Sequence, residues 1–317
     1  MLRIHHRRAG LSLMEALVAL FIMAIGMISL LTLFPLGAIQ MGRALRDDRC
    51  AQCAWQADGV VRTWWQVEVV DKAAIETNIT APYYGPLDGT VPKDSTTQSS
   101  MVVAIDPIGM NSGRSTQPLG NSGIVRKSST LVPGLKESIR LCSLTDDVFF
   151  NELGQPDTVS GSVTGRVVRQ GRYNWMAMIQ RPVNANRTTA ALKILVFDSR
   201  AVGTFPANGE QLVNVTGAAT GQTSLSIAPQ GLFAVNGMAD SNFTLAKGGW
   251  LLDATGGTRM DLYRVQSITP NGAMAIIELD TPIRGNPAPT QMIMLRGLAE
   301  VFDRPMLAPT GYLNPQP

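Results

Sequence analysis

Histidine use limits the chemistry first. The chain has two, His5 and His6, flanked by Arg3, Arg7 and Arg8. Once residues 1–10 are set aside, no imidazole remains. That excludes a Ser-His-Asp or Cys-His nucleophile pair and any His-ligated zinc. Cys50-Ala51-Gln52-Cys53 has the C-x-x-C spacing of a redox or metal motif. It lacks a second pair and a βαβ context, and both thiols fall on an apolar helix stripe, so the core reading is better. Cys142 is the third cysteine. Outside the cytoplasm a disulfide from Cys50 or Cys53 to Cys142 is open to the chain and leaves one thiol. Asp146-Asp147 and Asp240-Ser241-Asn242 could lend oxygens to calcium, but neither has an EF-loop spacing, and solvated loops account for them. Gly37 to Gly42 is followed by Arg43, so it is no phosphate loop. Trp55, Trp64 and Trp65 read as core or interface anchors. The expectation is a non-enzymatic chain without metal or cofactor.

Glu15 is the carboxylate whose position calls for an explanation. From Ala16 to Gly42 there are 27 residues without a charge, and about 20 apolar residues span a bilayer as a helix. A carboxylate in hydrocarbon costs a few kcal/mol unless it is paired or escapes to the interface. A cleaved secretory signal has a shorter apolar core and does not usually carry an acid there. Charge is informative at this end alone. The net +3 comes from the three arginines of residues 1–10, while the other 307 residues carry 24 Lys+Arg and 24 Asp+Glu. No basic face for nucleic acid follows from that balance. Arg43, Arg46 and Arg49 beyond the span match the three before it, so the positive-inside rule does not set the orientation.

The segment Ala9-Gly10-Leu11-Ser12-Leu13-Met14-Glu15-Ala16-Leu17-Val18-Ala19-Leu20 resembles the class III prepilin signal of type IV pilin-like proteins and pseudopilins. The run Ile22–Leu31 is similar to that of the type IV pilus modification (minor pilin) proteins. The resemblance implies cleavage by a prepilin peptidase between Gly10 and Leu11 and N-methylation of Leu11. It also implies filament assembly through Glu15, the fifth mature residue, whose carboxylate would neutralise the new α-ammonium within a chain or between neighbours. Leu11 replaces the family's more usual Phe, and Pro35 lies slightly beyond the kinking proline of major pilins. The partners implied are the peptidase, other pilins or pseudopilins, the inner-membrane assembly platform and membrane lipid. The location implied is the bacterial inner membrane, single-pass, with the N-terminus cytoplasmic and the C-terminal domain periplasmic or extracellular, in a type IV pilus or a type II secretion pseudopilus. The alternative is a signal-anchored envelope binding protein that never polymerises.

The elements that would position these residues follow from periodicity. The fold class expected is α+β: a long N-terminal transmembrane and amphipathic helix packed on a C-terminal antiparallel β domain. Residues 1–10 form the leader, 11–42 the transmembrane helix and 43–72 its amphipathic continuation. There Cys50, Cys53, Ala54, Ala57, Val60, Val61, Trp64 and Val67 recur at helical spacing. Pro35-Leu36-Gly37 predicts a kink or local melting. Residues 73–165 are rich in Pro, Gly, Ser and Asn and read as a variable connection with little regular structure, apart from short apolar runs such as Met101–Ile105. The antiparallel β domain occupies 166–317. Its strands are expected over Arg166–Arg169, Tyr173–Gln180, Leu192–Phe197, Trp250–Leu252, Leu262–Ile268 and Met274–Leu279. Met292–Leu295 and Leu298–Phe302 would close the sheet, and Asn271-Gly272 marks a hairpin. Tyr173-Asn174-Trp175-Met176 together with Ile194–Arg200 is also similar to certain long minor pilin-like proteins.

Overall fold

The computed structural model describes residues 13–71, 102–109, 119, 122–127, 135–148, 150–155, 170–182, 188–200, 210–227, 245–271 and 274–309. It divides into two compact units, Met1–Arg49 and Cys50–Pro317. In the first, the described residues are helix: α1 starts at Leu13 and ends at Trp65 in the second unit. It runs through Pro35 and Gly37 as helix. The ring removes one backbone bond, and the bonds of neighbouring turns hold the register. A short π-helix, Gln66–Asp71, follows.

The second unit has two β bodies. One is a five-stranded sheet in the order β11-β4-β3-β1-β2. It is built from β1 (Val103–Ile105), β2 (Val125–Lys127), β3 (Tyr173–Gln180), β4 (Ala190–Asp198) and β11 (Leu298–Leu307). The other is a closed barrel, β10-β5-β6-β9-β8-β7. Its strands are β5 (Glu210–Thr216), β6 (Ser224–Ile227), β7 (Trp250–Asp253), β8 (Leu262–Asn271), β9 (Met274–Leu279) and β10 (Gln291–Leu295). A helix α2 (Leu135–Cys142) precedes β3.

Two expectations need correction. The strands do not form one antiparallel meander. β10 closes the barrel against β5 and β7, while β11 pairs with β4, so the barrel is an insertion between neighbouring strands of the sheet. Within 166–317 every described strand pair is antiparallel, and the parallel pair β1–β2 lies before it, in the stretch 73–165. β1, β2 and α2 also give regular structure to the stretch 73–165. The physical reason is tertiary: three-residue strands are too short to show a period, and they are stabilised by the sheet they join. The strand expected over Arg166–Arg169 lies outside the described residues. The β8–β9 hairpin is present, with Asn271 paired to Met274.

The sheet is buried on both faces, which explains the unbroken apolar run in β3. Trp175, Ala177 and Ile179 share a core with Cys53, Ala54, Ala57, Val61 and Trp64 of α1. Met176 and Met178 face the other way, into a core shared with Leu252, Ala254 and Ile293 of the barrel. The barrel has its own interior of Val213, Leu225, Leu251, Tyr263, Ile277 and Met292. Polar ties reinforce the helix–sheet layer. Gln56 Nε2 donates to the Ser143 carbonyl at 3.1 Å, Trp65 Nε1 to Thr188 at 2.9 Å, and Arg62 Nη2 to Pro305 at 2.6 Å.

Candidate functional site

Gly10 and Leu11 lie outside the described residues. Glu15 stands in the first turn of α1, where the unpaired N–H groups and the helix dipole favour a negative side chain. Around and after it Leu13, Met14, Leu17, Val18, Leu20 and Phe21 are all exposed. At about 100° per residue these positions cover one broad side, and Ala16, Ala19, Ile22 and Met23, exposed as well, fill the remaining sides around Glu15, so this end is apolar all round rather than on one stripe. Such a surface demands lipid or other apolar helices. The transmembrane stretch expected over 11–42 includes residues 11 and 12, and the side chains of Leu30 and Thr32–Phe34, outside the described set. Among the described residues no helix is long and apolar enough to cross a membrane.

Residues 5–31 match the profile of the prokaryotic N-terminal methylation motif. The N-terminus is that of a type IV pilin-like protein. The motif belongs to membrane-anchored, pilus-associated proteins that are generally structural and processed by prepilin peptidase. No curated protein and no solved structure matches the chain.

Elsewhere in the chain, the three cysteines come together as buried thiols in the helix–sheet core. Burial, with Cys50 and Asp147 nearby, pushes the Cys53 thiol up to about 12, and burial likewise raises Cys142. Neither is a reactive thiolate in the folded chain. Gln56, one turn beyond Cys53, bonds the carbonyls of Leu141 and Ser143 on either side of Cys142. Among the described residues no group of three or more His, Cys, Asp or Glu could hold a metal. Trp64 and Trp65 are buried against the sheet, whereas Trp55 is exposed beneath the Arg304 guanidinium, 4.9 Å from its ring centre.

Sequence reasoning missed a buried ionic quartet. Asp106 follows β1, Arg126 lies in β2, Arg200 follows β4 and Glu210 opens β5; each is less than a tenth exposed. Arg126 bridges Asp106 and Glu210. Arg200 binds both Asp106 oxygens, at 2.9 and 2.6 Å, and reaches Glu210 at 3.1 Å. Gly109 N–H adds a bond to Asp106 at 3.0 Å, and a Cβ at Gly109 would collide with the Asp106–Arg126 pair. Burial alone would raise the Asp106 carboxyl, but Arg200 and Arg126 outweigh it and hold it at about 2. An acid held so low and fully engaged is a structural clamp rather than a proton donor. It sits where the chain leaves the sheet for the barrel. Its only sequence signal was four unremarkable charges spread over about a hundred residues.

Proposed function

We propose that this chain is a minor pilin or pseudopilin subunit, cut by prepilin peptidase between Gly10 and Leu11. Its N-terminal helix enters the filament of a type IV pilus or a type II secretion pseudopilus. The observation that carries this reading is the methylation motif over residues 5–31, with Glu15 as the sole acid at the head of an all-round apolar helix. The α-ammonium released at Leu11 would lie one helical turn from Glu15, where opposite charges in an apolar medium neutralise each other. In the precursor this helix is the membrane anchor, with the β bodies on the far side of the inner membrane. The chain acts by display and assembly, not catalysis.

Mass spectrometry of the mature N-terminus tests the reading. A chain starting at N-methylated Leu11 is expected; a start after Ala38, or retained arginines, overturns it. Glu15→Ala separates a polymerising subunit from a mere anchor. The variant is expected to be processed and membrane-bound but to lose at least about tenfold of its incorporation into filaments, the loss of one buried charge pair being worth several kcal/mol. Normal incorporation would favour a non-polymerising envelope protein.

A further inference from the structure

The chain's three cysteines meet in one core although Cys142 is far from the other two in sequence. Cys50 and Cys53 lie on α1 and Cys142 ends α2, and each is at most 2% exposed. Buried thiols of this kind ordinarily serve as small apolar side chains. Here the two elements that carry them are also tied together beside the sulfurs. Gln56 of α1 donates to the carbonyls of Leu141 and Ser143, the residues on either side of Cys142, at 3.4 and 3.1 Å.

That tie selects one pair. Cys53 and Gln56 are three residues apart and share a face of the helix. Side chains of a helix lean towards its N-terminus, so the Gln56 amide lies over the turn that holds Cys53. Cys142 is therefore held opposite that turn. Along the axis Cys53 is about 4.5 Å from Gln56, whereas Cys50 is about 9 Å away. A disulfide needs Cα atoms about 4.4–6.8 Å apart, which favours the nearer cysteine. Burial raises the Cys142 thiol first, and Asp106 and then Cys53 add to it, so the two sulfurs share one neighbourhood. Chain entropy points the same way. Joining Cys53 to Cys142 closes a loop of about 90 residues, and the gain from a cross-link grows with the loop it closes. A Cys50–Cys53 bond would close a single helical turn.

We propose that Cys53 and Cys142 form a disulfide that staples α2 to α1 and leaves Cys50 as a thiol. Two S–H bonds are given up and one S–S bond forms. The two electrons and two protons pass to a disulfide oxidant, which is reduced to two thiols. Buried and protonated in the folded core, neither sulfur attacks such an oxidant. The bond is therefore made while the chain folds, before α1 closes on the sheet. In the cell this step rests on the far-side placement proposed above, where disulfides persist.

The test refolds the full chain from urea into detergent with a mixture of glutathione and glutathione disulfide. A maleimide-linked polymer, added in denaturant after acid trapping, counts the remaining thiols. One modified thiol per chain is expected before reduction and three after it. Cys50→Ser is expected to show none before reduction and two after. Cys53→Ser and Cys142→Ser are each expected to show two before and two after. Peptide mapping of the refolded wild type and of Cys50→Ser is expected to recover the cross-link to Cys142, so the pairing is read even where another variant fails to fold. Three reactive thiols in the refolded wild type overturn the proposal, as does a Cys50–Cys53 bond or a cross-link lost in Cys50→Ser. The same count on chain taken from the cell envelope keeps location apart from pairing. A bond formed on refolding but missing there supports the pairing and sinks the far-side placement.

Discussion

Arg126 shows how much a single side chain can decide. It joins Asp106 to Glu210, and with Arg200 it leaves two buried cations facing two buried anions. Arg126→Met would leave both acids sharing one guanidinium. Breaking a buried pair in this way costs about 3–5 kcal/mol, and a fall of that size in urea-denaturation stability is expected. Acid acts on the same residues. The Asp106 carboxyl is depressed from 3.8 in the unfolded chain to about 2 in the folded one. Its contribution is therefore complete above about pH 4 and lost as the pH falls through about 2. The wild type is expected to lose stability steeply in that window, and Asp106→Asn to lose the Asp106 share of the slope. Glu15 is the opposite case. Its importance rests on its being the lone charge in an apolar run, which needs no tertiary contact to recognise.

At the scale of elements, α1 carries two kinds of surface. Its N-terminal part is apolar on every side, whereas from Cys50 onward one stripe is buried and Gln52, Trp55, Gly59 and Thr63 remain exposed. The buried stripe meets close-packed β3 and β4 side chains, and Ala57 is fully buried there. Ala57→Leu would add three carbons to a filled space, so a loss of about 1–3 kcal/mol is expected in thermal unfolding. Gly59→Leu, two residues on but at an exposed position where an added Cβ meets nothing within 4 Å, serves as the control expected to cost nothing. Equal destabilisation by both would show that the loss does not come from the packed stripe. The edge strand β11 gains from the same helix through the Arg62 bonds to Pro305 and Met306, with Asp58 holding the guanidinium at 3.0 Å.

For the whole molecule, the barrel's place in the chain is the defining feature. It is entered after β4 and left before β11, whose ends are joined by the Asp198 N–H to Gly297 carbonyl bond at 2.8 Å. A sheet so closed does not need the barrel for its strand pairing. It needs it as a cover, because Met176, Met178, Leu195 and Phe197 are buried against barrel residues. Excising residues 200–296 and closing the gap with a short turn is expected to preserve β-strand content by circular dichroism. The exposed apolar face should then drive aggregation on size-exclusion chromatography. A monodisperse, soluble excised chain would show that the barrel is dispensable as a lid.

The sequence alone determined what depends on local order. Gly10, Glu15 and the start of the uncharged run from Ala16 are legible linearly, and the N-terminal methylation motif matches residues 5–31. The helical stripe from Cys50 to Val67 and the apolar strands β3, β4, β7, β8 and β9 were legible because helix and strand periods are properties of neighbouring residues. Tertiary structure decided what depends on distant partners. β5 and β6 are short and half polar, and they become strands by closing a barrel. β1 gains its place beside β3, and β2 beside β1. The Asp106–Arg126–Arg200–Glu210 quartet is made of residues ordinary in sequence. Burial and proximity give them their chemistry, and neither quantity is written in the order of the chain.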